Sequence, residues 1–129
     1  MSVTEIRTDE APRPAGAYSQ GVVANGFLYT AGFGPQDPAT GEVAPTVGEQ
    51  TAQVLRNVAA VLAQHGLTLD DVVKTTVHLQ HLDRDFPAYN EVYSRRFPAP
   101  YPVRTTVGST LAGILVEIDA VAVRRSPTA

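Results

Sequence analysis

Thr46 and Glu49 open a run in which Val47, Thr51, Val54, Leu55, Val58, Val61 and Leu62 recur on one helical face, and Gly66 stops it. A capping box at one end and a glycine at the other make this helix the most tightly specified element of the chain. On either side the signals change to those of strands. Asn25-Gly26 stands between the runs Ser19 to Ala24 and Phe27 to Ala31, and Asn-Gly between apolar runs marks a two-residue hairpin because both positions tolerate positive φ. Val72 to Leu79 is rich in β-branched residues, with Val73, Thr75, Val77 and Leu79 expected on one side and Val72, Lys74, Thr76 and His78 on the other.

The remaining segments complete the order. Val3 to Arg7 reads as a short first strand, and Ala11-Pro12-Arg13-Pro14-Ala15-Gly16 as the only linker-like stretch. Asp83 is the expected cap of a second helix with Pro87 in its first turn and Phe86, Tyr89, Val92, Tyr93 and Phe97 as its apolar stripe. Pro98, Pro100 and Pro102 end that helix, and strands follow at Val103 to Ser109 and Leu115 to Val123. The predicted fold class is α+β, in the order β-β-β-α-β-α-β-β, with a mixed sheet whose right-handed crossovers put both helices on one face.

The other face is then uncovered. In the last strand Val116, Ile118, Ala120 and Ala122 point to the helices, while Leu115, Glu117, Asp119, Val121 and Val123 point away. A face that mixes apolar side chains with two carboxylates is too apolar to be merely solvated, and such patches mark interfaces. A homo-oligomer packed through the sheet is therefore expected.

Length and composition narrow the function. At 129 residues the chain fits a single domain, residues 1–129. With no cysteine it has no thiol nucleophile, thiolate zinc site or iron–sulfur cluster. A net charge of −3 lacks the field that gathers a polyanion, which argues against nucleic acid as a partner. No stretch of about 18 apolar residues occurs, so no membrane role is expected, and the expected location is the cytoplasm.

Two ionic features carry candidate chemistry. Glu117 and Asp119 lie two apart on one strand face, where like charge and partial burial would raise a carboxylate's pKa. Arg104, in Pro102-Val103-Arg104-Thr105-Thr106, carries a guanidinium suited to a two-pronged carboxylate clamp. A solvated carboxylate pair and an ordinary surface arginine are the plain alternatives; adjacency of the two strands would bring clamp and acid/base together. His78-Leu79-Gln80-His81 has no third ligand at a recognisable spacing, and no metal site is read there. Tyr18, Tyr89 and Tyr93 read as core or interface aromatics, with Tyr18 on a loop where side chains often serve ligands.

Gly16-Ala17-Tyr18-Ser19-Gln20, the loop Asp37 to Val43, Val72 to Val77, Asn90 with Tyr93, Pro102-Val103-Arg104 and Val116 to Ala120 together resemble the Rid family of imine/enamine deaminases, also called the YjgF family. The resemblance runs from about Ala11 to Arg124. It implies a chorismate-mutase-like fold and a homotrimer whose sheets line a central barrel, with active sites in the clefts between subunits. The implied reaction is hydrolysis of reactive 2-imino acids to 2-keto acids and ammonia, without a cofactor. By similarity Arg104 holds the substrate carboxylate, Glu117 positions the attacking water and shuttles its proton, and the backbones of Gly32 and Thr106 complete a pocket lined by Tyr18, Asn90 and Ala31.

The sequence departs from the family pattern at the pocket edge. Ala31 stands where deaminases often carry serine, Phe33 replaces a common glutamine and Thr106 a cysteine, while Asp119 and Ala112 replace a usual glutamate and a common proline. The competing reading is a non-catalytic trimer that binds small 2-keto or other carboxylates in its clefts. A third, ribonuclease or translation inhibitor, is opposed by the acidic chain without a basic stripe.

Overall fold

The computed structural model describes residues 2–125. Its elements are β1 (Val3–Ile6), β2 (Gly21–Ala24), β3 (Phe27–Thr30), α1 (Val47–Ala63), β4 (Val72–Leu79), α2 (Leu82–Arg96), β5 (Val103–Gly108) and β6 (Val116–Val123), with a 3₁₀ turn at Leu69–Asp71 before β4. The order is the expected one. The strands form one six-stranded sheet in the order β1-β2-β3-β6-β4-β5, with β4 and β5 parallel and every other pairing antiparallel.

Local chemistry explains the best-defined elements. Asn25 at φ 52° and Gly26 at φ 83° make the tight turn between β2 and β3. The Thr46 hydroxyl accepts from the Glu49 amide at 3.2 Å and starts α1. At the other end Leu67 N–H donates to Leu62 O and Gly66 N–H to Ala63 O, a closure made possible by Gly66 at φ 71°.

All seven stripe residues expected on α1 are buried, and they face Leu28, Val77, Val116, Ile118, Ala120 and Ala122 in one core between the helices and the sheet. Two amides interrupt that stripe. Gln50 donates to Ala44 O and accepts from Leu115 N–H, each at 2.8 Å, while Asn57 donates to Gly34 O and Gln36 O at 3.0 Å. They tie the long β3–α1 loop and the start of β6 to the helix, satisfying backbone groups that burial would otherwise leave unpaired.

Four expectations need correction. A β-bulge between Val72 and Lys74 turns Val72 inward and leaves Val73 exposed, so the side assignment fails at the first two residues of β4 and holds from Lys74 onward. The second helix begins at Leu82, with His81 rather than Asp83 at its cap; Asp83 lies in the first turn, and Pro87 is one turn deeper than expected. Leu115 precedes β6 and packs against the core instead of the open face. Phe33 is buried, its backbone paired with Ile118 in both directions, so it is a core residue and not part of a pocket edge. No helix among the described residues is long and apolar enough to cross a membrane.

Candidate functional site

Glu117 follows Val116 and precedes Ile118, both fully buried against the helices, so the pleat sends its side chain to the open face. There it lines a depression of about 590 Å³ with Tyr18, Ser19, Val22, Ala31 and Gly32. Gly32 lies hard against it: a Cβ at that position would stand 3.0 Å from both Cδ and Oε2 of Glu117. What a side chain at this position would disturb is the carboxylate beside it, not the backbone conformation. Tyr18, half-exposed, accepts from the Ala15 N–H at 3.1 Å, which holds its ring at the mouth.

Asp119 shares the open face. Burial pushes its carboxyl above the ordinary range, against the opposing pull of the His78 and Lys74 charges and a hydrogen bond from Thr76. Of the two causes expected from sequence, desolvation operates at Asp119. Nearby, His78 Nδ1 lies 2.6 Å from the Ser109 hydroxyl.

Arg104 belongs to the opposite face. It is level with Thr75 in the parallel ladder, and Thr75 is buried beneath α2 with its hydroxyl 2.6 Å from that of Tyr93. The guanidinium lies 4.7 Å from the centre of the Tyr93 ring and 5.7 Å from those of Phe86 and Tyr89. It donates to Asn90 Oδ1 at 2.8 Å and to the Tyr89 hydroxyl at 3.3 Å. Among the described residues no salt bridge involves Arg104. Its charge is held by neutral acceptors and aromatic faces. With Asn90, Tyr93, Ser94, Tyr101 and Pro102 it lines a second depression of about 490 Å³, beside the sheet edge formed by β5.

The expected adjacency of clamp and acid/base is therefore wrong for one chain. β4 lies between β5 and β6, and the ladders set Arg104 level with Ala120, three residues from Glu117. Two strand spacings and three residues put their Cα atoms roughly 14 Å apart, and the side chains leave opposite faces of the sheet. Tyr18, Ala31, Gly32 and Glu117 are gathered in one place; Asn90 and Arg104 are gathered in another, with Thr106 next to Arg104 on the same strand face.

Sequence reasoning named Asn90 but missed the aromatic groups that surround the guanidinium. Phe86, Tyr89 and Tyr93 recur at three and four residues along α2, a spacing that marks a core stripe but does not reveal that the stripe ends under an arginine.

A six-stranded mixed sheet backed by two helices, with an arginine at its edge and a carboxylate on its open face, places the chain in a small α+β class. A profile described as Endoribonuclease L-PSP matches residues 8–124, and the chain belongs to this family, known also as YjgF/Rid. It is 41% identical to a 2-iminobutanoate/2-iminopropanoate deaminase of Salmonella typhimurium over 97% of this chain and 100% of that one. A RutC family protein of Pyrococcus abyssi is 41% identical over 95% of this chain and 98% of its own length. Among solved structures, E. coli TdcF with bound serine matches with a TM-score of 0.87 and 35% identity, covering 95% of this chain and 99% of that one.

Proposed function

We propose that the protein hydrolyses 2-imino acids to 2-keto acids and ammonia, in sites built between copies of a homotrimer. The observation that carries this reading is Arg104: a guanidinium oriented by Asn90 and Tyr89, packed on aromatic rings, and paired with no carboxylate among the described residues. Such an arginine is prepared for an external carboxylate, which it takes with two parallel hydrogen bonds. The deaminase name of the Salmonella relative supports an imine as the group beside that carboxylate. A net charge of −3 gives no comparable support to a nucleic-acid substrate.

Exposed apolar groups on the open face support assembly of this kind. Tyr29 and Val107 are exposed on the open side of the sheet, and Val103 beside them is 65% exposed. Covering that face with the β5 edge of a neighbour brings the neighbour's Arg104 toward Glu117, which no movement within one chain achieves. The sheets of three copies then line a central barrel.

In the assembled cleft Arg104 fixes the carboxylate, and Glu117 holds a water against the imine carbon. The water adds its oxygen to carbon as Glu117 takes its proton, and the proton passes to nitrogen. Collapse of the carbinolamine breaks the C–N bond and releases ammonia and the 2-keto acid. Proton transfer of this kind supplies about 10²–10⁴-fold. No cofactor enters the scheme.

The test generates 2-iminopropanoate and 2-iminobutanoate in place with an amino-acid oxidase and follows keto-acid release. The protein is expected to accelerate release beyond the uncatalysed rate, and Arg104→Lys to lose most of that acceleration, because an ammonium keeps the charge without the planar fork. Release at the uncatalysed rate, with the 2-keto acid still bound, would leave the non-catalytic carboxylate-binding trimer as the better reading.

A further inference from the structure

Tyr89 is fully buried, yet its hydroxyl is not spent on the core. It lies 3.3 Å from Arg104 Nη1 and 3.3 Å from the Thr106 hydroxyl, so one atom touches both residues that leave β5 on the helix side. The directions of these two bonds are settled by chemistry. A guanidinium has donors only, so toward Arg104 the phenol oxygen must accept. Its single proton then needs an acceptor, and the Thr106 oxygen is the partner within reach. Were Thr106 to donate to Tyr89 as well, the phenol proton would be buried without a partner, at the cost such groups carry.

With its oxygen accepting from Tyr89, Thr106 must direct its own proton elsewhere, and its half-buried side chain stands on the same strand face as Arg104, still open to solvent. We propose that Tyr89 is a positioning residue that orients the Thr106 hydroxyl, making it a second donor to the carboxylate that Arg104 holds. The inference rests on the reading of Arg104 as a carboxylate clamp and adds a side-chain donor to it. Desolvation raises the Tyr89 pKa above that of an ordinary phenol, so the proton the relay needs stays in place through the neutral range. Contacts of 3.3 Å are long for hydroxyl bonds, the spacing expected where a site tightens only around its ligand.

The relay makes a demand that simple packing does not. Thr106 is needed for its hydroxyl and Tyr89 for its effect on Thr106, so the two substitutions must be coupled. The experiment measures 2-oxobutanoate affinity by titration calorimetry for the full-length wild type and for Thr106→Val, Thr106→Ser, Tyr89→Phe, the double variant Tyr89→Phe/Thr106→Val, and Arg104→Ala. Losing a hydrogen bond to a charged ligand, Thr106→Val should weaken binding about tenfold, whereas Thr106→Ser, which keeps the hydroxyl, should restore most of it. Tyr89→Phe should weaken binding severalfold in the wild type and by clearly less in the Thr106→Val background.

Arg104→Ala separates the two levels of the argument. Wild-type affinity in Thr106→Val, with Arg104→Ala unable to bind, overturns the relay and keeps the clamp. Unchanged affinity in Arg104→Ala overturns the clamp itself and the relay with it. Equal losses for Tyr89→Phe in the two backgrounds also overturn the relay, because they reduce Tyr89 to an independent support of Arg104. Should Tyr89→Phe fail to fold, the Thr106→Val and Thr106→Ser pair decides alone: similar losses in both reject the hydroxyl as a donor.

Discussion

The two faces of one sheet differ in what they have done with their polar groups. On the helix side Val116, Ile118, Ala120 and Ala122 are buried, and the polar side chains that enter are paired at once: Thr75 with Tyr93, Asn57 with two loop carbonyls. On the open side Glu117, Asp119, Lys74 and His78 alternate with Val121, Val123 and Val107 at intermediate or high exposure. The first face is a finished core. The second is as apolar as an interface and carries the proposed acid/base, while the proposed clamp emerges at the far edge of the first. On the proposed reading a chain so divided carries both halves of a cleft and closes neither alone.

The strongest way to break this contrast is at the proposed base. Glu117→Gln keeps the volume and much of the hydrogen bonding but cannot take a proton, so turnover should fall by about two to four orders of magnitude while 2-keto acid affinity survives. The oxidase-coupled assay and a binding titration on the same preparation check this; full turnover by the variant would remove Glu117 from the mechanism.

A smaller effect is expected at the residue packed against that carboxylate. Gly32→Ala places a methyl 3.0 Å from the Glu117 carboxyl carbon, and moving that carboxylate by a fraction of an ångström should cost about tenfold in kcat or more, since misplacements of about 1 Å can cost 10²-fold. The thermal midpoint should change little, because the collision is with the end of a flexible side chain. Unaltered kcat would show that the contact does not set the position of Glu117.

The smallest effect concerns the open face as a dielectric environment. With the Asp119 carboxyl raised by burial, the folded protein binds that proton more tightly than the unfolded chain does, so stability is lost as pH rises from the unfolded value near 3.8 through the folded one. Asp119→Asn should therefore gain stability over the wild type in that rise and show no such gain below it. Denaturation at a series of pH values measures the difference, and a gain confined to acid pH would reverse the assignment.

How much of this was legible depended on range. The α1 stripe, its capping box and the Asn25-Gly26 turn are local, and the chain folds there as its spacing says. Gln50 and Asn57 had a readable signal as amides at three- and four-residue spacing within an apolar stripe, although their partners lie far along the chain. The bulge at Val72 and Lys74 had none, because a single extra residue inverts a face without changing composition. Asp83 has the chemistry of a cap but sits in the first turn, where its charge serves the helix dipole equally well.

For the candidate site, the sequence named residues that the fold does gather, but not their relative placement. Tyr18, Ala31, Gly32, Asn90, Arg104, Thr106 and Glu117 all fall in or beside the two depressions. What no spacing reveals is that β4, earlier in the chain than both, inserts between β5 and β6, with a register that sets Arg104 level with Ala120 and so on the face opposite Glu117. Strand order is decided by which edges remain when the helices have crossed, a property of the whole fold.

The central claim is that Arg104 and Glu117 act together only across two copies. Mixing Arg104→Ala and Glu117→Gln subunits, each inactive alone, tests it directly after dissociation and reassembly in equal amounts. If every cleft draws its arginine from one copy and its glutamate from the next, about a quarter of clefts should regain both groups, and about a quarter of wild-type activity should return. Mixtures that reassemble into trimers and stay as inactive as their parents would place both residues in a single chain's site and contradict the account.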